Sequence, residues 1–252
     1  TGYDIDQSLR FNDDDTPYLS KTFAGAGDRR NWTFSCWFKL GAATAAGGED
    51  YIFTAGAGNS GHTDFLRVYQ SKLKFACVQS GGTNGYKTTV ALFRDPAAWY
   101  HVVATYDSDN STAADRMRLY VNGERVTDFS ESADVALNFQ SYQFNTAIKH
   151  WIGAYSYNGA STWDGYLAEV HFIDGTALDA SSFGETDAAT NQWKPIEATG
   201  LTYGTNGFYQ KYSATELAAS FTDSSEGGFI PSETLTCNIL IVGGGGGGGE
   251  DV

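Results

Sequence analysis

Short runs rich in β-branched and aromatic residues recur along this chain, each closed by Gly, Asn, Asp or Ser, and no long stretch repeats its apolar positions with a helical period. That pattern confines the chain to an all-β fold. Strands are expected near 8–11, 18–23, 32–40, 51–55, 65–69, 72–78, 87–93, 99–107, 116–121, 124–129, 150–154, 166–173 and 207–212. Helix is limited to one-turn pieces near 179–183 and 215–219. The 30 glycines against 4 prolines and the 18% charged residues suit tight turns, and 41% apolar residues with 15% aromatics can fill a core.

Three segments sharpen this reading. In Trp32-Thr33-Phe34-Ser35-Cys36-Trp37-Phe38 the even positions share one face, which is expected to be core, because successive strand side chains point to opposite sides. Asn122-Gly123 separates two alternating runs, and both residues tolerate positive φ, so a two-residue type I′ hairpin is expected. Residues 99–106 are apolar on both faces, which places them mid-sheet under a layer on each side. From about Gly184 the pattern loosens, and the chain ends in the apolar run 237–242 and seven glycines, Gly243 to Gly249.

Charge removes whole classes of function. With 16 basic and 30 acidic residues the formal charge is -14, which repels nucleic acid and anionic membranes. No apolar stretch is long enough for membrane insertion, and the first residues carry neither a secretory signal nor an initiator Met, so a processed or trimmed chain is expected. Cys36, Cys77 and Cys237 make neither a disulfide framework nor a zinc spacing and read as buried thiols.

Residues 98–107, Leu119-Tyr120-Val121-Asn122-Gly123, Trp151-Ile152-Gly153 and Asp164-Gly165-Tyr166-Leu167-Ala168-Glu169-Val170 occur in the order that resembles the concanavalin A-like lectin/glucanase superfamily, in its laminin-G-like branch. Gln7 to Asn12, Phe172 to Leu178 running into Ser182 to Asp187, and Tyr203 to Tyr209 are similar to laminin-G-like structural proteins of tailed bacteriophages, particularly marine ones. The resemblance covers about residues 3–213 and implies a jelly-roll sandwich of two antiparallel sheets. It divides the chain into a laminin-G-like domain (1–213), a linker (214–235), and a glycine-rich C-terminal extension (236–252) for oligomerisation or a fibre segment. It implies a non-enzymatic virion protein, a tail or head fibre or a capsid decoration, made in the host cytoplasm. Its partners would be host surface glycans, other virion proteins and further copies of itself, a trimer by analogy with fibres. A purely architectural role and an unrecognised glycan hydrolase or lyase are the alternatives. Where the family usually carries Asp before the motif Glu, this chain has Ala168, which removes any role of that carboxylate.

Candidate chemistry is sparse. A glycan hydrolase needs two carboxylates on one strand face, and the nearest approach is Glu185-x-Asp187 in an expected loop. His62, His101, His150 and His171 are isolated, and His101 and His171 read as buried strand histidines. The terminal glycines match a dinucleotide-binding pattern only because a homopolymer matches anything, and no helix or acidic partner follows. Carbohydrate binding needs an aromatic platform and planar polar groups. Tyr155, Tyr157, Asn158, Trp163 and Asp164 supply both in one loop and form the expected site, although Tyr155 and Trp163 also suit a core cap. Asn59, His62 and Asp64 could join the same rim. No cofactor is required. If calcium binds at the rim, Asp107 and Asp109 are the candidate ligands, while a solvated acidic turn is the default for both.

Overall fold

The computed structural model describes residues 2–42, 48–56, 63–79, 82–155 and 161–212. Among the described residues sixteen strands form two large antiparallel sheets and one small hairpin. Sheet one contains β1 (Leu9–Phe11), β3 (Asn31–Leu40), β8 (Tyr100–Asp107), β9 (Met117–Val121), β10 (Glu124–Arg125), β13 (Gly165–Asp174) and β16 (Phe208–Gln210). Its order is β1-β13-β3-β8-β9-β10, with β16 also pairing β13, end to end with β1. Sheet two contains β2 (Leu19–Thr22), β4 (Glu49–Gly56), β5 (Thr63–Tyr69), β6 (Lys72–Gln79), β7 (Gly82–Thr89), β11 (Phe129–Ala133) and β12 (Lys149–Ile152), ordered β11-β7-β6-β5-β4-β12-β2. β14 (Gly184–Thr186) pairs with β15 (Trp193–Pro195). Among the described residues helix is confined to three single 3-10 turns, and none is long and apolar enough to cross a membrane.

The alternation in 32–38 works as expected. Trp32, Phe34, Cys36 and Phe38 are buried between the sheets, where Phe34 stacks on Phe53 at 4.6 Å and Trp32 stacks on Tyr106 at 5.3 Å. Fully burying such rings stabilises by ~1.5–3 kcal/mol each. The opposite face is covered as well: Thr33 Oγ1 donates to Thr176 O at 2.9 Å and accepts from Leu178 N at 2.8 Å. Segment 175–203 thus roofs sheet one, and Val103 and Ile173 pack beneath it against Ala180 and Phe183. β8 is central, as its two apolar faces require. Asn122 (φ 47°) and Gly123 (φ 83°) form the hairpin, with Glu124 opposite Val121.

Three expectations needed correction. The run 87–93 is not one strand: β7 occupies 82–89, and Thr89 Oγ1 then donates to Ala91 O, turning the chain out of the sheet so that Val90 and Leu92 are exposed. The run 124–129 breaks after Arg125, and the chain crosses to sheet two, where it pairs as β11. The loosened region contains the hairpin β14–β15, whose three-residue strands are too short to show a period. The proposed linker, the glycine-rich extension, Cys237 and the turn at 215–219 lie outside the described residues.

Gly165 explains why the Asp164-Gly165 motif has a glycine. β13 enters between β1 and β3 at φ 150°, where a Cβ would lie 2.1 Å from Lys39 O.

Candidate functional site

An antiparallel sandwich sheet usually turns polar residues to solvent. The outer face of sheet two does not. β5 directs Phe65, Arg67 and Tyr69 outward while Leu66 and Val68 enter the core. Opposite and beside them, Tyr51 on β4, Ala76 and Val78 on β6 and Tyr86 on β7 complete an apolar cluster separate from the main core.

Arg67 sits within this cluster, its guanidinium carbon 4.5 Å from the Phe65 ring centre, 4.8 Å from Tyr69 and 5.2 Å from Tyr51. Its Nη1 pairs with Glu49 Oε1 at 2.8 Å and donates to the Tyr51 hydroxyl at 2.5 Å, and that hydroxyl donates to Glu49 Oε2 at 3.0 Å. Burial, reinforced by the Glu49 carboxylate, pushes the Tyr51 phenol up, so it remains a neutral donor. Lys74 lies opposite Arg67 in register and pairs with Glu131 at 3.4 Å. Farther along the face, Trp151 meets Tyr18 at 4.6 Å and lies under Lys149, while Thr54 Oγ1 donates to Ala154 O at 2.9 Å between that pair and Phe65.

The expected loop site separates into parts. Tyr155 joins the sheet-two face, its ring 4.9 Å from Tyr51. Trp163 does not face a ligand: it is fully buried, edge-on to Phe38 at 5.7 Å, because the chain at 163 turns inward to close the sandwich. Asp164 pairs with Arg10 at 2.7 Å and braces the rim where β1 and β3 meet β13. Tyr157 and Asn158, like Asn59 and His62, lie outside the described residues. Asp64 is buried in the sandwich, where Oδ2 accepts from the backbone N–H of Gln143 at 2.7 Å and of Phe144 at 2.8 Å. Burial pushes it up to about 6.

The outer face of sheet one carries a buried polar network. A register shift in β13 between Ala168 and His171 accompanies a left-handed Glu169 (φ 49°) and turns both Ala168 and Glu169 away from the core. Glu169 accepts from the Tyr3 hydroxyl at 3.1 Å and from the Tyr209 hydroxyl, with His171 Nε2 3.8 Å away. Burial pushes this carboxyl up, but those hydrogen bonds and His171 outweigh it and hold it below its ordinary value. His101 Nε2 lies 2.9 Å from Ser35 Oγ, which superficially matches a nucleophile and its base. The indole N–H of Trp193 donates to Nδ1 at 3.1 Å, so the neutral ring carries its proton on Nε2 and donates it to Ser35. A base must offer that nitrogen as an acceptor, and burial lowers His101 to about 3. The dyad is structural.

The other chemical candidates are similarly occupied. Lys194 Nζ bridges Glu185 at 3.2 Å and Asp187 at 3.1 Å. With that ammonium and the N–H groups of Thr190 and Ala189 beside it, Asp187 is held at about 2, the opposite of the raised value a glycosidic general acid needs. Asp107 Oδ2 pairs with Arg118 at 3.1 Å, and Asp109 accepts from Asn31 at 2.8 Å with Arg30 3.5 Å away. Carboxylates already neutralised by guanidinium groups do not fit a calcium site, and among the described residues no cluster of three His, Cys, Asp or Glu could hold a metal.

A laminin G-type family profile of the concanavalin A-like lectin/glucanases superfamily matches residues 13–182. No curated protein matches the chain in sequence. The native heptameric SAP-like pentraxin from Limulus polyphemus is 16% identical with a TM-score of 0.51, over 82% of this chain and 96% of that one. A candidate carbohydrate-binding protein from Bacteroides ovatus is 17% identical with a TM-score of 0.54, over 85% of this chain and 53% of that one, so this chain spans about half its length. A K499G mutant of the NanB sialidase from Streptococcus pneumoniae is 16% identical with a TM-score of 0.50, over 71% of this chain and only 28% of the sialidase. At these identities the likeness is one of fold.

Proposed function

The chain belongs to the concanavalin A-like lectin/glucanases superfamily, and on that premise we propose that it is a non-enzymatic glycan-binding domain whose ligand rests on the outer face of sheet two. The observation that carries the reading is Arg67 held among Tyr51, Phe65 and Tyr69 on a sheet face that would otherwise be polar. The half-buried rings of Tyr69, Tyr86 and Tyr155 around this buried centre receive the apolar face of a pyranose, and Glu49 and the tyrosine hydroxyls supply donors and acceptors for its substituents. Tyr155 extends the platform at the β4 side, its ring 4.9 Å from Tyr51. The carbohydrate-binding description of the Bacteroides ovatus relative agrees with this use of the fold. The ion pairs of Glu185 and Asp187 with Lys194 support the non-enzymatic part of this reading.

We further propose that the domain belongs to the surface of a tailed-phage particle, as fibre or decoration, and presents this face to host glycans. The support is the motif resemblance in 7–12, 172–187 and 203–209. Imaging the protein on intact particles tests the location. For binding, the full chain on a broad glycan array should give signals that Tyr155→Ala abolishes while the variant still unfolds cooperatively. A blank array from demonstrably folded protein refutes the reading.

A further inference from the structure

We infer that the glycan taken by this face is an extended chain that crosses the strands and also rests on Tyr18 and Trp151, an inference that rests on the glycan-binding reading above. The tyrosines of that reading occupy one part of sheet two. A second aromatic platform stands where β12 meets the edge strand β2. Trp151 lies between His150 and Ile152, both buried in the sandwich, so strand alternation turns its ring outward. Tyr18, just before Leu19, lies against that ring at 4.6 Å and is 38% exposed. Lys149 holds its ammonium 5.1 Å from the centre of the Trp151 ring, and among the described residues no carboxylate pairs with it.

Register fixes the distance between the platforms. Trp151 stands opposite Thr54, Thr54 opposite Phe65, Phe65 opposite Ala76 and Ala76 opposite Tyr86, one unbroken row across five strands. With neighbouring strands ~4.8 Å apart, Trp151 and Tyr86 are separated by ~19 Å along the row. Thr54, Phe65 and Ala76 are buried and form its floor, while Trp151 and Tyr86 are half-buried at the ends and the half-buried Tyr155 stands near Tyr51 of the intervening β4. No single sugar reaches both ends. One pyranose of an extended chain advances by about one strand spacing, so a ligand that touches both ends needs roughly four sugars or more. Equatorial linkages keep a chain extended with its ring faces towards one surface, whereas axial linkages curl it away. Tyr18 and Trp151 offer rings to a sugar face and Lys149 donors to its hydroxyls, the same chemistry as the first platform. A chain held at one platform meets the other without a second association step, which multiplies its affinity.

The test titrates the full chain with two series of β-1,4-linked oligosaccharides, of glucose and of N-acetylglucosamine, from disaccharide to hexasaccharide. In at least one series the hexasaccharide should bind at least ~10-fold more tightly than the disaccharide. Tyr18→Ala, at an exposed ring, should remove that gain and leave disaccharide binding unchanged, and Lys149→Ala should reduce it. Affinity independent of length in the parent overturns the extended-chain inference and leaves glycan binding standing. Array signals from other glycans, with both series blank, have the same consequence. A gain with length that Tyr18→Ala and Lys149→Ala both leave intact overturns the path over β12 and β2. Folded protein that binds neither series and gives a blank array overturns both readings.

Discussion

The histidines make this fold sensitive to acid in a way that can be measured residue by residue. His150 is buried 4.0 Å from Phe23; its Nδ1–H donates to Ile148 O at 3.0 Å and its Nε2 accepts from Asn145 N–H at 3.0 Å. A proton added to Nε2 would face a donor, inside a low-dielectric core, and the ring is accordingly lowered to about 3, chiefly by burial. His101 has the same value and the same logic, with the Trp193 indole as its donor. In the unfolded chain both titrate near ~6.5. A depressed histidine contributes stability that is present above the unfolded value and is lost as pH falls, because the unfolded chain takes up protons that the folded one refuses. Each therefore removes ~1.4 kcal/mol per pH unit below pH ~6, or ~2 kcal/mol at pH 5. Two such groups consume a large share of the ~5–15 kcal/mol that holds a domain together. His150→Gln supplies an acceptor oxygen for the Asn145 N–H but cannot be protonated. Urea unfolding of both proteins, followed by tryptophan fluorescence from pH 7.5 to 5.0, should show the stability gap between parent and variant shrink by ~2 kcal/mol in the parent's disfavour as the pH falls. Parallel curves across that range would refute the assignment.

Two further outcomes follow from the same packing arguments. Asp64 has the opposite sign: its carboxyl is raised to about 6 by burial, so between pH ~4 and 6 the folded chain keeps a proton that the unfolded chain has lost, and stability falls as pH rises through that window. Asp64→Asn keeps an acceptor for Gln143 N and Phe144 N without the charge, and its stability relative to the parent should improve by ~3 kcal/mol between pH 4 and 7, with a flat difference counting against the argument. Trp163→Ala should cost ~3–5 kcal/mol in equilibrium unfolding because it empties a fully buried site, whereas half-buried Tyr155→Ala should cost less than half of that; equal losses would mean that the two residues have been assigned to the wrong sides of the surface.

Arg67 could have been found in the sequence. The outward positions of 65–69 read Phe65, Arg67, Tyr69, an unusual set for a solvent-facing strand, but the strand pattern alone did not say which face was outward. Local order in the chain decided the all-β class, the core face of Trp32 to Phe38 and the Asn122-Gly123 hairpin, because strand alternation and positive-φ turns follow from the covalent geometry of neighbouring residues. It placed Tyr155 and Trp163 eight positions apart in one expected patch, and the structure put one outside and the other inside. Nor did it show that segment 175–203 would cover Thr33, Ser35 and His101, or that Glu49, Tyr51 and Arg67 would meet across two paired strands. Those outcomes depend on which distant segment lies against which face, and strand order and register are set by the packing of the whole core, so only the tertiary structure decides them.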